Sequence, residues 1–165
     1  MRYAPDASDI AIVWAGRRRR NERRNSDLPG NLRRRYAGQQ KMRSLILLVE
    51  DDPDILAMMV TALGGEGYRV ATAEDGAEAL AAARRERPDL IVLDLMLPRM
   101  NALQFRAEQL RDPDLAKIPI LCLSGASHAA TVAFELGTVD CLPKPVDFNR
   151  LLPLIRKQLA SNRQD

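Results

Sequence analysis

Short apolar runs and longer amphipathic segments alternate from Met42 to the end of the sequence. Each run has four to six residues and is followed by a segment whose apolar residues recur at a spacing of three or four. Such alternation is typical of repeated βα units around a parallel sheet. The five runs predicted as buried strands are Leu45 to Val49, Tyr68 to Ala71, Leu90 to Leu93, Ile118 to Leu123 and Val139 to Leu142.

Five helices are predicted to follow these strands, because each intervening segment presents one apolar stripe. The stripes consist of Ile55, Met58, Met59 and Leu63; Ala77, Leu80 and Ala81; Leu103, Ala107 and Leu110; Ala129, Val132, Ala133 and Leu136; and Phe148, Leu151, Leu152, Ile155 and Leu159. Glycines close the first helix, at Gly64 and Gly65, and the fourth, at Gly137. Strict alternation predicts a doubly wound α/β fold with five parallel strands and helices on both faces. Ligands of such folds bind at the carboxyl ends of the strands.

The first 41 residues lack this alternation. Ile10 to Ala15 is apolar but far shorter than the about 20 residues that span a bilayer, and Arg17 to Gln40 has no apolar periodicity. Residues 1–43 hold eleven arginines and one lysine against four acidic side chains, a net charge of +8, whereas the remainder carries −5. We therefore predict a basic, disordered leader over residues 1–41 and a folded domain over residues 42–165.

The composition narrows the class of protein further. Hydrophobic residues make up 46% of the chain and charged residues 28%, as in globular domains. Two cysteines are too few for the disulfide framework of a secreted scaffold and fit a reducing compartment, so a cytoplasmic location is expected. Cys122 and Cys141 are predicted to be small buried apolar side chains. His128, the single histidine, is interpreted as a solvated residue at a helix start.

Polar side chains follow four of the predicted strands. They are Glu50, Asp51 and Asp52 after the first, Asp94 at the end of the third, Ser124 at the end of the fourth and Lys144 after the fifth. Asp52 precedes a proline and is favoured as a helix N-cap. Asp94 lies within a continuous apolar run, where a charge is costly without a partner. Lys144 offsets only one of the three negative charges that Glu50, Asp51 and Asp94 carry, so a divalent cation is required. Oxygen ligands favour Mg²⁺.

These motifs resemble the receiver domain of two-component response regulators. The resemblance rests on Val-Glu-Asp-Asp at 49–52, Leu-Asp-Leu-Met-Leu-Pro at 93–98, Ser-Gly at 124–125 and Lys-Pro at 144–145, and it extends from about Leu45 to Leu159. It implies a flavodoxin-like sheet with strand order 2-1-3-4-5. It also implies a phosphoprotein of a phosphorelay that is no enzyme, beyond assisting its own phosphorylation and dephosphorylation.

The resemblance further implies a role for each polar residue. Asp94 would be the phosphoacceptor, forming an aspartyl phosphate, and Glu50, Asp51, Asp94 and the backbone carbonyl of Met96 would hold Mg²⁺. Lys144 would pair with the phosphoryl oxygens, and Ser124 would donate a hydrogen bond to them. The donor would be the phosphohistidine of a sensor histidine kinase or histidine phosphotransfer protein. The bond between Lys144 and Pro145 would be cis.

Two departures from the family pattern bear on these expectations. The loop after the third strand usually contains Pro-Gly-x-Asp-Gly, whereas residues 98–102 are Pro-Arg-Met-Asn-Ala, without the glycine that permits a tight turn. Three residues before Lys144 the family commonly has tyrosine or phenylalanine, and this chain has Cys141. The family pattern therefore predicts neither the geometry of the loop beside Asp94 nor an aromatic switch in this chain.

Three functions are weighed. The favoured one is a stand-alone receiver that signals by phosphorylation-dependent binding of a protein target, with no membrane partner and with nucleic acid unlikely as a partner. The alternative is a nucleic-acid-binding regulator that uses the arginine-rich leader and is gated by the receiver. A magnesium-dependent phosphohydrolase is disfavoured because Met96 occupies the position where such enzymes usually carry a second acid.

Overall fold

Strands and amphipathic helices alternate as predicted in the computed structural model, which describes residues 44–125, 135–137 and 140–161. The prediction that all five strands are buried is wrong for the second and fifth, which are partly exposed because they form the two edges of the sheet. The strands are β1 (Leu45–Val49), β2 (Arg69–Ala73), β3 (Leu90–Asp94), β4 (Ile120–Ser124) and β5 (Cys141–Pro143). The helices within these residues are α1 (Pro53–Gly65), α2 (Gly76–Glu86), α3 (Ala102–Arg111) and α4 (Phe148–Ser161). The helix α4 is the fifth of the predicted helices.

The strands form one parallel sheet in the order β2-β1-β3-β4-β5. This arrangement confirms the doubly wound fold and the strand order. Every residue of β1, β3 and β4 is buried, which explains why these strands are continuous apolar runs rather than alternating ones.

The helices cover both faces of the sheet. One core joins α2 and α3 to one face, with Phe105 fully buried beside Val49 and Leu93. The second core joins α1 and α4 to the other face, through Met59 and Ile155 among others. Because successive strand residues point to opposite faces, β1 and β3 contribute to both cores. The rigid sheet fixes the positions of the loops at its carboxyl edge.

Beyond the first strand, strand ends differ from the predicted ones by at most two residues. The second strand extends to Ala73, the fourth begins at Ile120, and the fifth begins at Cys141 and ends at Pro143. Hydrophobicity places a strand but does not fix its ends, because pairing decides them. The parallel register pairs Val49 with Ala73 and Ser124 with Pro143, which extends both strands beyond the apolar run.

Side-chain caps start the helices that follow β1, β2 and β3. Asp52 accepts hydrogen bonds from the backbone N–H groups of Asp54 and Ile55, at 2.9 and 3.1 Å, and Pro53 opens α1. Asp52 is thus an N-cap, as interpreted from the sequence. Asp75 caps α2, and Asn101 forms a capping box with Gln104 at the start of α3.

Several sequence predictions fall outside the described residues. They are the leader over residues 1–41, the first part of the fourth predicted helix with Ala129, Val132 and Ala133, and the solvated position of His128. At the end of that predicted helix, Leu136 is buried and Gly137 has a φ of +65°, the conformation that commonly ends a helix. No helix in the described part of the chain is long and apolar enough to cross a membrane.

Candidate phosphoacceptor site

The four strand ends bring the predicted polar residues to one edge of the sheet. Glu50 follows β1, Asp94 is the last residue of β3, Ser124 is the last residue of β4, and Lys144 follows β5. Glu50 is held by its N–H, which donates to the carbonyl of Ala73 on the neighbouring strand at 3.1 Å. The hydrogen bonding of the sheet therefore continues by one residue, to Glu50, beyond the end of β1.

Three carboxylates converge at this edge. Oxygen atoms of Glu50, Asp51 and Asp94 all lie within 4.8 Å of one another. Glu50 and Asp94 are buried, with 0% and 2% of their surface exposed, and Asp51 is exposed. Two buried carboxylates this close require a cation to offset their repulsion and their lost hydration.

Lys144 supplies one such cation. Its Nζ donates hydrogen bonds to Asp94 Oδ2 at 2.6 Å and to Glu50 Oε1 at 2.8 Å. The ammonium also lies 2.7 Å from Glu50 Oε2, but with an orientation in which only Oε1 accepts a hydrogen bond. Because one positive charge faces three carboxylates, the local charge remains negative.

The pKa values of Glu50 and Lys144 follow from this arrangement. Burial raises the pKa of Glu50 and the charge of Asp94 raises it further, while the hydrogen bond from Lys144 opposes both effects. For Lys144, burial acts to lower the pKa, but its hydrogen bonds to Asp94 and Glu50 outweigh burial and raise the pKa. The ammonium therefore stays charged at neutral pH.

Ser124 and Met96 frame Asp94. The carbonyl of Ser124 accepts a hydrogen bond from the Lys144 N–H at 2.8 Å, which aligns the ends of β4 and β5. The N–H of Met96 donates to Asp94 Oδ1 at 3.0 Å, and the Met96 side chain is 68% exposed. The mouth of the site thus has a thioether and no acid at Met96. The peptide bond between Lys144 and Pro145 is cis.

The loop after β3 makes the tight turn without a glycine. Arg99, at the position where the family usually has glycine, adopts a φ of +61°, a left-handed conformation that is costly for a residue with a Cβ atom. Its guanidinium forms an ion pair with Asp75. The pKa of Asp75 lies below its ordinary value, chiefly because the backbone N–H of Glu78 donates a hydrogen bond to its carboxylate. The hydrogen bond and the positive charge of Arg99 lower this pKa further. Motif spacing did not reveal the pairing of Asp75 with Arg99, because it joins two loops.

Gly76 lies against the same loop. A Cβ atom at this position would come within 2.9 Å of the Met100 carbonyl oxygen, closer than real Cβ contacts. Glycine at the first position of α2 therefore allows the loop after β3 to pack directly on that helix.

Cys122 is buried as predicted, but Cys141 is partly exposed, and the prediction that the two are simple apolar side chains is wrong. Their sulfur atoms form a disulfide bond between β4 and β5. The parallel register places the two residues directly opposite each other, with Cα atoms 4.5 Å apart. This pairing depends on the register of two strands and is invisible in the spacing of the cysteines.

The donor set fits Mg²⁺. Within the described residues, the side chains that cluster at this edge, those of Glu50, Asp51 and Asp94, all offer carboxylate oxygens, which hard divalent cations prefer. The negative charge left after pairing with Lys144 favours a divalent ion, and exposed Asp51 opens the cluster to solvent, as suits an ion that keeps bound water.

Comparisons with known proteins agree with this geometry. Residues 46–156 match the response regulator receiver domain. The DNA-binding response regulator MtrA of Mycolicibacterium smegmatis is 36% identical over 126 residues, covering 75% of this chain and 54% of the relative. The transcriptional regulatory protein GlrR of Escherichia coli is 38% identical over 117 residues, covering 71% of this chain and 26% of the relative. The chain thus spans about half the length of the MtrA proteins and about a quarter of the length of GlrR.

Solved structures share the fold. The chemotaxis response regulator CheY4 of Vibrio cholerae aligns with a TM-score of 0.65 and 30% identity, over 71% of this chain and 99% of that protein. The receiver domain of the sensor histidine kinase PA1611 of Pseudomonas aeruginosa aligns with a TM-score of 0.67 and 28% identity, over 72% and 98%. That structure has a magnesium ion coordinated in its active site cleft. The family match over two thirds of the sequence, on a sheet that carries the expected motifs, shows that this chain belongs to the response regulator receiver domain family.

Proposed function

We propose that the chain accepts a phosphoryl group on Asp94, from the phosphohistidine of a histidine kinase or histidine phosphotransfer protein, and signals by binding a protein target. The single observation that carries this proposal is the contact of Asp94 with Lys144, 2.6 Å apart at the carboxyl edge of the sheet. A buried carboxylate bonded to a fixed ammonium is suited to attack an anionic phosphoryl group, because the cation offsets charge repulsion.

The transfer joins an Asp94 oxygen to phosphorus while the bond from phosphorus to the donor nitrogen breaks, and the leaving imidazole keeps that electron pair. Asp94 Oδ1 is fixed by the Met96 N–H, and Oδ2 is bonded to Lys144. The incoming phosphoryl group must take over the bond from Nζ to Oδ2, so that Lys144 then pairs with phosphoryl oxygens. Ser124, at the end of the adjacent strand, is proposed to donate its hydroxyl hydrogen to the same group.

Glu50, Asp51, Asp94 and the carbonyl of Met96 are proposed to hold Mg²⁺. When bound, Mg²⁺ would neutralise the negative charge that Lys144 leaves unbalanced and would favour the approach of a phosphoryl anion. The protein contributes the fixed positions of Glu50 and Asp94, which are buried and bonded to the same ammonium.

Labelling with acetyl phosphate and Mg²⁺, followed by intact-mass measurement, tests the proposal. The wild-type chain is expected to gain one phosphoryl group that neutral hydroxylamine removes, and Asp94→Asn is expected to gain none. Asp114→Asn is the matched control, since Asp114 is an exposed aspartate paired with Arg87 away from the site. Lys144→Ala should retain part of the labelling. Full labelling of Asp94→Asn would refute the assignment.

A second candidate is a nucleic-acid-binding regulator gated by phosphorylation. It is favoured by the net charge of +8 over residues 1–43 and by relatives that are described as DNA-binding response regulators, so the expectation that nucleic acid is an unlikely partner has no support from them. Binding of duplex DNA by the full chain, with affinity that falls steeply as salt rises, would favour this function. If the full chain binds no duplex DNA, either with or without acetyl phosphate, the function proposed first, binding of a protein target, is favoured.

A further inference from the structure

The disulfide links the two strands that deliver Ser124 and Lys144 to the site. Cys122 lies two residues before Ser124 on β4, and Cys141 lies three residues before Lys144. These are the two cysteines of the sequence, so no other pairing within the chain competes. The crosslink therefore acts on the part of the sheet from which Lys144 reaches Asp94.

Strand β5 is short and has a single neighbouring strand. It has three residues, lies at the edge of the sheet and pairs with β4 alone. Within the described residues, the contacts that hold it include the Cys122 N–H bond to the Asp140 carbonyl at 3.2 Å and the Lys144 N–H bond to the Ser124 carbonyl at 2.8 Å. A covalent link across so short a ladder is expected to have a large effect on how firmly the strand is held.

The two sulfurs differ in access. Cys122 is fully buried, whereas Cys141 is partly exposed. A thiolate from solvent would reach Cys141 Sγ first, forming a mixed disulfide there and leaving Cys122 with the electron pair of the broken bond. The Asp140 carbonyl oxygen, 3.7 Å from Cys122 Sγ, is placed to accept the hydrogen of the resulting thiol.

We propose that Cys122 and Cys141 form a redox-reversible modification site whose co-reactants are thiols and disulfides, and whose state sets how firmly β5 holds Lys144. In reduction, a dithiol gives two electrons and two protons to the protein disulfide, leaving two cysteine thiols and an oxidised dithiol. In oxidation, a small-molecule disulfide accepts those electrons and becomes two thiols, while the bond between the cysteine sulfurs forms again. The consequence for phosphorylation rests on the proposed function of Asp94.

Alkylation of the folded full chain tests the site itself. After treatment with glutathione disulfide, N-ethylmaleimide in denaturant is expected to add nothing to the monomer, and after dithiothreitol it is expected to add two groups. Two added groups after both treatments would overturn the proposal, as would crosslinked dimers without the internal bond. This readout does not depend on phosphorylation.

Two further measurements test the effect on the site. Hydrogen exchange of the β5 amides is expected to be at least about tenfold faster after reduction, since the crosslink restrains the opening of this strand. The initial rate of acetyl phosphate labelling should fall about fivefold on reduction, because a less firmly held Lys144 offsets less of the repulsion between Asp94 and the phosphoryl anion. Unchanged exchange and equal labelling rates would overturn the effect on Lys144.

Cys141→Ala is the matched control, because it leaves Cys122 without an internal partner. Its β5 exchange and its labelling rate should not differ between the two redox treatments, and a difference would show that the reagents act elsewhere and overturn the proposal. If no redox form accepts phosphate while the alkylation count switches between none and two, the proposed function fails and the redox site stands.

Discussion

At the scale of single residues, the site is a balance between one ammonium and three carboxylates. Lys144 bonds both buried carboxylates, and its charge cannot neutralise them all. The charged form of Glu50 is destabilised, since burial and the charge of Asp94 both raise its pKa. A chain without Mg²⁺ is therefore expected to be less stable than its core packing alone would allow.

The pH dependence of one variant measures this cost. In EDTA, Glu50→Gln is expected to have a larger free energy of unfolding than the wild type at neutral pH. The pKa of Glu50 lies above 4.5 in the folded chain, so the folded state binds this proton more tightly than the unfolded state does. Stability is then lost as pH rises through 4.5, and the loss is complete above the raised pKa.

Urea titrations at several pH values give the comparison. The stability advantage of Glu50→Gln should be small near pH 4 and should grow towards neutral pH. Added Mg²⁺ should raise the free energy of unfolding of the wild type but not that of the variant. Glu86→Gln is the control, because Glu86 is at the exposed end of α2. An advantage that shrinks as pH rises would contradict the assignment.

At the scale of elements, the connection between α3 and β4 is organised by a buried amide. Gln109 is fully buried, and its Nε2 donates to the carbonyls of Leu115 and Ile118 at 2.8 and 3.1 Å. Its Oε1 accepts from Arg106, whose Nε also donates to the Leu136 carbonyl at 3.0 Å. One polar side chain thus satisfies the turn that leads into β4.

Replacement of this amide by a hydrocarbon of similar size is expected to be costly. Gln109→Leu removes one donor from each of the buried Leu115 and Ile118 carbonyls and one of the two acceptors of Arg106, so the free energy of unfolding should fall by about 2 kcal/mol. Lys117→Leu, on the exposed surface of the same connection, should change stability by no more than about 0.5 kcal/mol. Denaturant titration of both variants decides the point, and equal stability would refute it.

At the scale of the whole molecule, the leader and the folded part are distinct in composition. All core residues of the described structure lie at Leu45 or beyond, as do Glu50, Asp94, Ser124 and Lys144. The boundary at Met42 therefore remains a prediction about which part of the chain is needed to fold and to accept phosphate.

A chain that begins at Met42 tests this boundary. It is expected to unfold at the same temperature as the full chain and to label with acetyl phosphate to the same extent, because no described core contact is removed. Calorimetry and intact mass provide the two measurements. A clear loss of stability on truncation, or nucleic-acid binding by the full chain alone, would assign a role to residues 1–41.

Sequence reasoning reached the features that repeat or that follow a strand. Apolar runs identified the five strands, and the polar residues after them identified the site, because parallel strands end at one edge. Sequence reasoning missed contacts between segments whose spacing carries no signal. The pairing of Asp75 with Arg99 and the bond of Cys122 with Cys141 depend on loop geometry and strand register, which are set by packing across the sheet.

The distance along the chain between the site residues has a consequence for refolding. Lys144 lies 94 residues from Glu50 and 50 from Asp94, and it arrives on the edge strand β5. Contacts that close such long loops tend to form slowly, since the chain loses entropy before they are made. A collapsed intermediate with β1 and β3 paired would contain the acceptor carboxylate but not the ammonium beside it. The rate of labelling with acetyl phosphate during refolding would then reach its full value only when the last strand has docked.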